Sequence, residues 1–318
     1  MSDRQRGFRS FGEQALHYFD RPHEAVTTSE IASPAAWIGR DLPPLEEMAY
    51  VLSQGEISEI EAAITVAKAS GKEPRDLLAD DFPLPSLAPH IREWREAVGE
   101  GVGFQELFFW CLGLHLGRPG GQNPKGDLLG HVTDTNASKA DPMARLYQTS
   151  ANIDYHCDAA DVVGLLCLKK AKSGGKSRIV SSVTVFNELV KRRSDLVARL
   201  FEPFQLDSRG ETKGDAPGSI PITPCCYAGG KLRTFYHSDY FRSAVRHAEV
   251  APFTEKEQAL LDTYEQIAAE PGIFLDMDLQ PGDIQLLSNH TNLHARTDYE
   301  DHEDPAERRH LLRLWLSL

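Results

Sequence analysis

The chain has 318 residues, 41% hydrophobic and 25% charged, without a low-complexity tract, which is the composition of a globular protein with room for a sizeable core. A formal net charge of -13 argues against nucleic acid or an anionic membrane as partner, although a local pair of arginines can still bind a small anion. Five cysteines, an odd number without metal-ligand spacing, point to a reducing, cytoplasmic setting, and no apolar run approaches the roughly 20 residues of a membrane span.

Residues 1 to about 50 carry Pro34, Pro43 and Pro44 with little periodicity and read as irregular. Ile57, Ile60, Ile64 and Ala67 recur at helical spacing, which predicts an amphipathic helix over 56–70. A Pro-rich connector, Phe82 to Pro89, leads to helical stretches near 90–98 and 104–116, and Gly117 to Gly130 reads as a loop. The pattern then turns to strands. Leu146 to Thr149, Val162 to Leu168 and Arg178 to Ser182 are predicted strands, the last running into a helix that ends near Phe201. Leu232 to Tyr236 is a further strand, and Thr254 to Glu257 is a capping box that opens a helix to about Ala269. Phe274 to Leu279, Asp283 to Asn289 and His310 to Leu318 complete the strands, with a turn at Pro281-Gly282-Asp283. These elements predict one α+β domain over 1–318, its N-terminal part (1–104) irregular and helical and its core (105–318) antiparallel β.

Chemistry concentrates in the second half. His-x-Asp occurs three times, at His156-Cys157-Asp158, His237-Ser238-Asp239 and His302-Glu303-Asp304, so the triplet alone does not choose. His302 sits in an acidic run that reads as a solvated loop, and His237 follows an aromatic strand where a packed or surface role is expected. His156 precedes a strand that looks buried on both faces. In extended chain, i and i+2 project to the same side roughly 6–7 Å apart, so His156 and Asp158 can close on one metal while Cys157 points away. His290 and His294, extended, would lie about 13 Å apart and cannot share an ion. His294 is the favoured ligand because Arg309 and Arg313 follow at a distance suiting the next strand, which leaves His290 structural. In the last strand Arg309, Leu311, Arg313, Trp315 and Ser317 share one face, and the opposite face is nearly all leucine. Two arginines on a covered face need anions: either internal carboxylates or a ligand. Two imidazoles, a carboxylate and a nearby arginine make a candidate Fe(II) site with positions left open for a cosubstrate and O2. Lys172 to Ser177 lacks the first glycine of a phosphate loop, and no nucleophile elbow is present.

Taken in order, His156-Cys157-Asp158, the Gly174-Gly175-Lys176-Ser177 turn, Pro281-Gly282-Asp283, His294, and Arg309 with Arg313 resemble the taurine/2,4-D dioxygenase family of Fe(II)/2-oxoglutarate-dependent oxygenases over about residues 105–318. The resemblance implies a double-stranded β-helix, or jelly roll, with flanking helices. It implies His156, Asp158 and His294 as iron ligands, Ser177 and Arg309 as contacts to 2-oxoglutarate, and Arg313 as a second arginine facing the primary substrate. The implied reaction is hydroxylation or desaturation of a small polar molecule by O2, with release of succinate and CO2. Asp158 stands where halogenating relatives carry a small residue, which favours oxygenation. Two other readings make different predictions: a cupin-like iron enzyme that does not use 2-oxoglutarate, and an inactive remnant of the family. One departure stands out, since Gly103-Phe104 runs directly into Gln105-Glu106, where members usually carry a strand and turn.

Overall fold

The computed structural model describes residues 8–97, 100–102, 106–137, 146–210 and 217–318. Two antiparallel sheets organise it. The larger runs in the order Glu100–Val102, Ile284–Ser288, Val162–Lys169, His310–Ser317, Arg118–Pro119, with Leu129–Val132 also pairing His310–Ser317. The smaller runs Leu275–Met277, Ser177–Ser181, Asn292–Arg296, Ile153–His156. Helices and antiparallel sheets together make an α+β fold.

Period-2 alternation decides which face of each strand meets which layer. In the larger sheet, Val162, Leu166, Leu312, Leu314, Leu316, Ile284 and Leu286 pack with Phe109, Leu112 and Leu116 of the helix Glu106–Leu116 into one core. Gly164 permits that approach, because a Cβ there would stand 2.9 Å from the Phe109 ring. In the smaller sheet, Val180, Leu293 and Ala295 pack against Phe186 and Leu189 of the helix Ser182–Val197 and Leu260 and Tyr264 of the helix Glu255–Ala268. Each buried Val, Leu, Ile or Phe among them contributes about 1.5–3 kcal/mol by leaving water. Both sheets therefore spend their apolar faces on helices. Their other faces hold buried Ser177, Gln285, His156, His294, Arg296 and Arg313. The Ser177 hydroxyl donates to Gln285 Oε1 at 3.2 Å and joins one sheet to the other.

Most predicted elements are present within a few residues, including the helix Gln54–Ala69 and the capping box at Thr254. Three differences have local causes, and one expectation falls outside the described residues. The N-terminal region contains a helix, Phe11–Phe19, opened by a Ser10/Glu13 capping box and anchored by fully buried Tyr18. Leu146–Gln148 is a 3-10 turn rather than a strand. The carbonyls of Thr149 and Ala151 just beyond it accept from Arg296 instead of pairing in a ladder. The expected loop 117–130 contains the strand Arg118–Pro119 and the start of Leu129–Val132, short pairings on the His310–Ser317 strand. The expected gap before the 106–116 helix falls on Gly103 to Gln105, which lie outside the described residues; the Glu100–Val102 strand just before them pairs with Ile284–Ser288. Among the described residues no helix is long and apolar enough to cross a membrane.

Candidate active site

The sheet register builds the centre. His294 pairs directly with His156, and their ring centroids are 4.2 Å apart. Asp158 follows where the strand ends, with its Oδ2 3.7 Å from His294 Nε2. One ligand atom from each of His156, Asp158 and His294 lies within 4.8 Å of the others. His156 Nδ1 lies 2.9 Å from the Asp154 carbonyl, which can only accept, so Nδ1 donates there and Nε2 is the nitrogen left to face a metal.

Electrostatics favour the ligand forms of two members. Burial alone would push the Asp158 carboxyl up, but Arg313, His294, His156 and the Trp315 indole outweigh it and hold it near 2. Burial and then the neighbouring His156 push His294 down to about 3, so its imidazole stays neutral. A metal site needs both deprotonated, and two nitrogens with one carboxylate suit Fe(II) with open positions. The donor set fits that ion.

Arg313 serves this centre from within. Its Nη1 donates to Asp158 Oδ2 at 3.2 Å, its Nε donates to Gln122 Oε1 at 2.8 Å, and Trp315 Nε1 donates to the same Asp158 oxygen at 3.0 Å. Of the two outcomes open for the paired arginines, Arg313 takes the internal carboxylate. Arg309 does not. It is 5% exposed and makes no salt bridge among the described residues, and its Nη1 has no hydrogen-bond partner among them. Burial lowers its pKa. Gly175 allows its approach: the backbone there has φ +69°, and a Cβ would stand 3.1 Å from Arg309 Nε. Ser177 is buried beside Gln285, in register with Arg296.

Of the other three histidines singled out in the sequence, His290 and His302 keep away from the centre as expected, whereas the His237 ring comes within 4.9 Å of His156. His290 Nε2 meets Asp161 at 2.7 Å and its ring stacks on Tyr18, so it is structural. His237 bridges to the His156 backbone and stacks on Tyr240 at 3.8 Å. His302 lies in the acidic loop, where its carbonyl accepts from Arg308. Two groups escaped the sequence reading. Asp161 accepts from Leu318 N and meets both His17 and His290, tying the N-terminal helix and the chain end to the strand turn before His294. Arg296 sits two residues past His294 on the same strand face, and alternation from His294 was the signal available for it. A cavity of about 160 Å³ adjoins Asp158 and Trp315, walled by Phe11, Phe19, Leu206, Ile220 and Phe235, with His237 and Ser208 as polar members.

The family model for "Taurine catabolism dioxygenase TauD, TfdA family" matches residues 93–315. The chain belongs to the TauD, TfdA family. As a member it is a 2-oxoglutarate-dependent dioxygenase, an oxidoreductase that uses Fe(II) with 2-oxoglutarate as cosubstrate. Among curated proteins, this TauD, TfdA member is 28% identical to FR-33289 synthase of Streptomyces rubellomurinus over 311 residues, 92% of each chain. It is 27% identical to a taurine hydroxylase-like protein of Stachybotrys chartarum, covering 93% of this chain and 82% of that one. Among solved structures, asparagine oxygenase in complex with Fe(II), 2S,3S-3-hydroxyasparagine and succinate superposes with a TM-score of 0.66 at 17% identity, over 85% of this chain and 93% of that one. The non-heme iron oxygenase OrfP with Fe and alpha-ketoglutaric acid gives 0.61 at 16%, over 85% and 94%. At such identities these two likenesses concern the fold.

Proposed function

We propose that His156, Asp158 and His294 hold Fe(II), that Arg309 and Ser177 receive the distal carboxylate of 2-oxoglutarate, and that the two sheets form the family's double-stranded β-helix around them. The observation that carries this reading is the convergence of two imidazoles and an ionised carboxylate within 4.8 Å, in the polar space between sheets whose apolar faces are committed elsewhere. When bound, iron and 2-oxoglutarate supply the oxidising chemistry: O2 is reduced as 2-oxoglutarate loses CO2 to give succinate, and a substrate C–H bond is oxidised.

The chain's own residues do the arranging. Asp154 fixes the His156 tautomer, and Arg313 with Trp315 orients Asp158 and keeps it ionised. With its guanidinium engaged this way, Arg313 supports the metal ligand rather than anchoring a substrate. Arg309 offers the buried cation that a carboxylate needs. The cavity beside Asp158 takes the primary substrate. Its aromatic and aliphatic wall receives an apolar carbon portion, and His237 and Ser208 meet a polar group. Asparagine oxygenase and OrfP are each seen in complex with succinate and a hydroxylated amino acid, which supports hydroxylation of a small, amino-acid-like molecule here.

The test is an anaerobic titration of Fe(II)-loaded protein with 2-oxoglutarate, followed by the visible charge-transfer band of the chelate. The band should saturate in the wild type. It should require at least about tenfold more ligand in Arg309→Ala, the loss of one charge-assisted contact, and should be absent from iron-free His294→Ala. Equal affinity in wild type and Arg309→Ala would remove Arg309 from the site.

A further inference from the structure

Arg309 is not the only buried guanidinium without an anion. Arg296 is 6% exposed, and its Nε and Nη1 find no hydrogen-bond partner among the described residues. Its Nη2 donates to the carbonyls of Thr149, at 2.8 Å, and of Ala151. Those two bonds aim the group without neutralising it. Asp134, Asp298 and Asp301 lie in the vicinity, yet among the described residues neither arginine forms a salt bridge. Both guanidinium carbons pack on one ring, 4.8 Å (Arg296) and 5.1 Å (Arg309) from the Tyr299 centroid.

The register says which way Arg296 faces. It pairs with Ser177, as His294 pairs with Ile179 and His156. Leu293 and Ala295 between them enter the apolar core on the other face of the sheet. Arg296 thus projects to the side of His294, His156 and Ser177. Two like charges brought together out of water repel each other and forfeit hydration, an arrangement that persists when an anion compensates both.

We propose that Arg296 is a second cation of the 2-oxo acid site, acting with Arg309 around Tyr299 to bind the distal carboxylate of 2-oxoglutarate. This rests on the reading of Arg309 given above. Arg309 supplies the contact to the carboxylate. Arg296, held by two backbone carbonyls, contributes a fixed positive charge to the same pocket and makes the site selective for 2-oxo acids that carry a second carboxylate.

The experiment compares 2-oxoglutarate with 2-oxobutyrate, which has the same chelating end and no distal carboxylate, on anaerobic Fe(II)-loaded protein by the charge-transfer band. Arg296→Gln keeps an N–H donor for the Thr149 or Ala151 carbonyl and removes the charge. It should weaken 2-oxoglutarate about 10- to 100-fold and 2-oxobutyrate less than about threefold, the scale of one charge-assisted interaction. Arg296→Lys, which restores the charge, should recover 2-oxoglutarate affinity to within about fivefold of wild type. Equal weakening of both ligands by Arg296→Gln would overturn the proposal and leave Arg296 as a brace for the 149–151 segment. Unchanged 2-oxoglutarate affinity in Arg296→Gln, with Arg309→Ala impaired, would also overturn it while sparing Arg309. Unchanged affinity in both variants would sink the parent reading. Should Arg296→Gln fail to fold by circular dichroism, Arg296→Lys decides: folded protein with the 2-oxoglutarate preference retained supports a role for charge, and folded protein with the preference lost refutes it.

Discussion

Replacing Arg313 by Met tests how the Asp158 carboxylate is held. The two side chains are 8% and 10% exposed, and the guanidinium reaches Asp158 Oδ2 at 3.2 Å and Oδ1 at 3.4 Å. Removing one partner of a buried pair costs about 3–5 kcal/mol, because the remaining charge keeps its desolvation penalty without compensation. Trp315 Nε1 still donates at 3.0 Å, which places the metal-free protein at the lower end, about 3 kcal/mol. An unfolding entropy of about 2.1 cal/mol/K per residue gives about 0.7 kcal/mol/K for a chain of this length, so the melting temperature should fall by about 4–5 °C. A divalent ion at the triad would supply the missing positive charge. Saturated with Mn(II), the same substitution should cost only about 1 kcal/mol, under about 2 °C. Scanning calorimetry of both proteins at pH 7, in chelator and in Mn(II), makes the comparison. An equal loss in both conditions would refute the argument and assign Arg313 to packing on Tyr147 and Trp315, whose rings it overlies. No loss in either would mean that the pair is not what keeps Asp158 ionised.

Two further outcomes follow from the same groups. His294, pushed down to about 3 by burial and by His156, stays neutral in the fold while an unfolded histidine takes up a proton near 6.5. The folded pKa is the lower one, so this contribution is fully present above about 6.5 and is lost as pH falls toward 3, by up to about 1.4 kcal/mol per pH unit. Asp158, with a depressed pKa, contributes loss only below about 4, so urea unfolding of metal-free protein between pH 7 and 4.5 should report His294 together with His290, whose pKa burial also lowers, and a flat profile there would contradict both. Asp161→Ala removes the acceptor for Leu318 N and the partner of His17 and His290, and should cost about 2–4 kcal/mol after allowing for half-exposed His17. Thermal melts should show a drop of about 3–6 °C, and a change below 1 °C would mean that water replaces the carboxylate freely.

The parts legible in the sequence were those written in local periodicity. A continuous apolar run disclosed the Val162–Lys169 strand, and alternation in His310–Ser317 disclosed that strand and put Arg309 and Arg313 opposite the leucine face. The same alternation placed His156 and Asp158 together and forced a choice between His290 and His294. What escaped depends on partners far away in the chain. The Phe11–Phe19 helix is nine residues long and is held by Tyr18, whose hydroxyl donates to carbonyls of Thr234 and Asn289, so its own periodicity carried little signal. Leu146–Gln148 has a strand-like composition, yet its neighbourhood is fixed by Arg296, about 150 residues on. The pairing of Arg313 with Asp158 was one of two outcomes for a covered arginine, and only three-dimensional proximity could select it.

The charge of this chain therefore has to be read at two scales. An overall charge of -13 repels anions at long range, but salt screens exposed charges within about 8 Å at physiological strength. Between the sheets that screening is weak. There Arg296, Arg309 and Arg313 are all buried, and Asp158, the carboxylate of the triad, is bonded to Arg313. Neither of the other two forms a salt bridge among the described residues. The two guanidinium groups without a salt bridge therefore lie on the side of Arg309, and neither lines the apolar cavity next to Asp158.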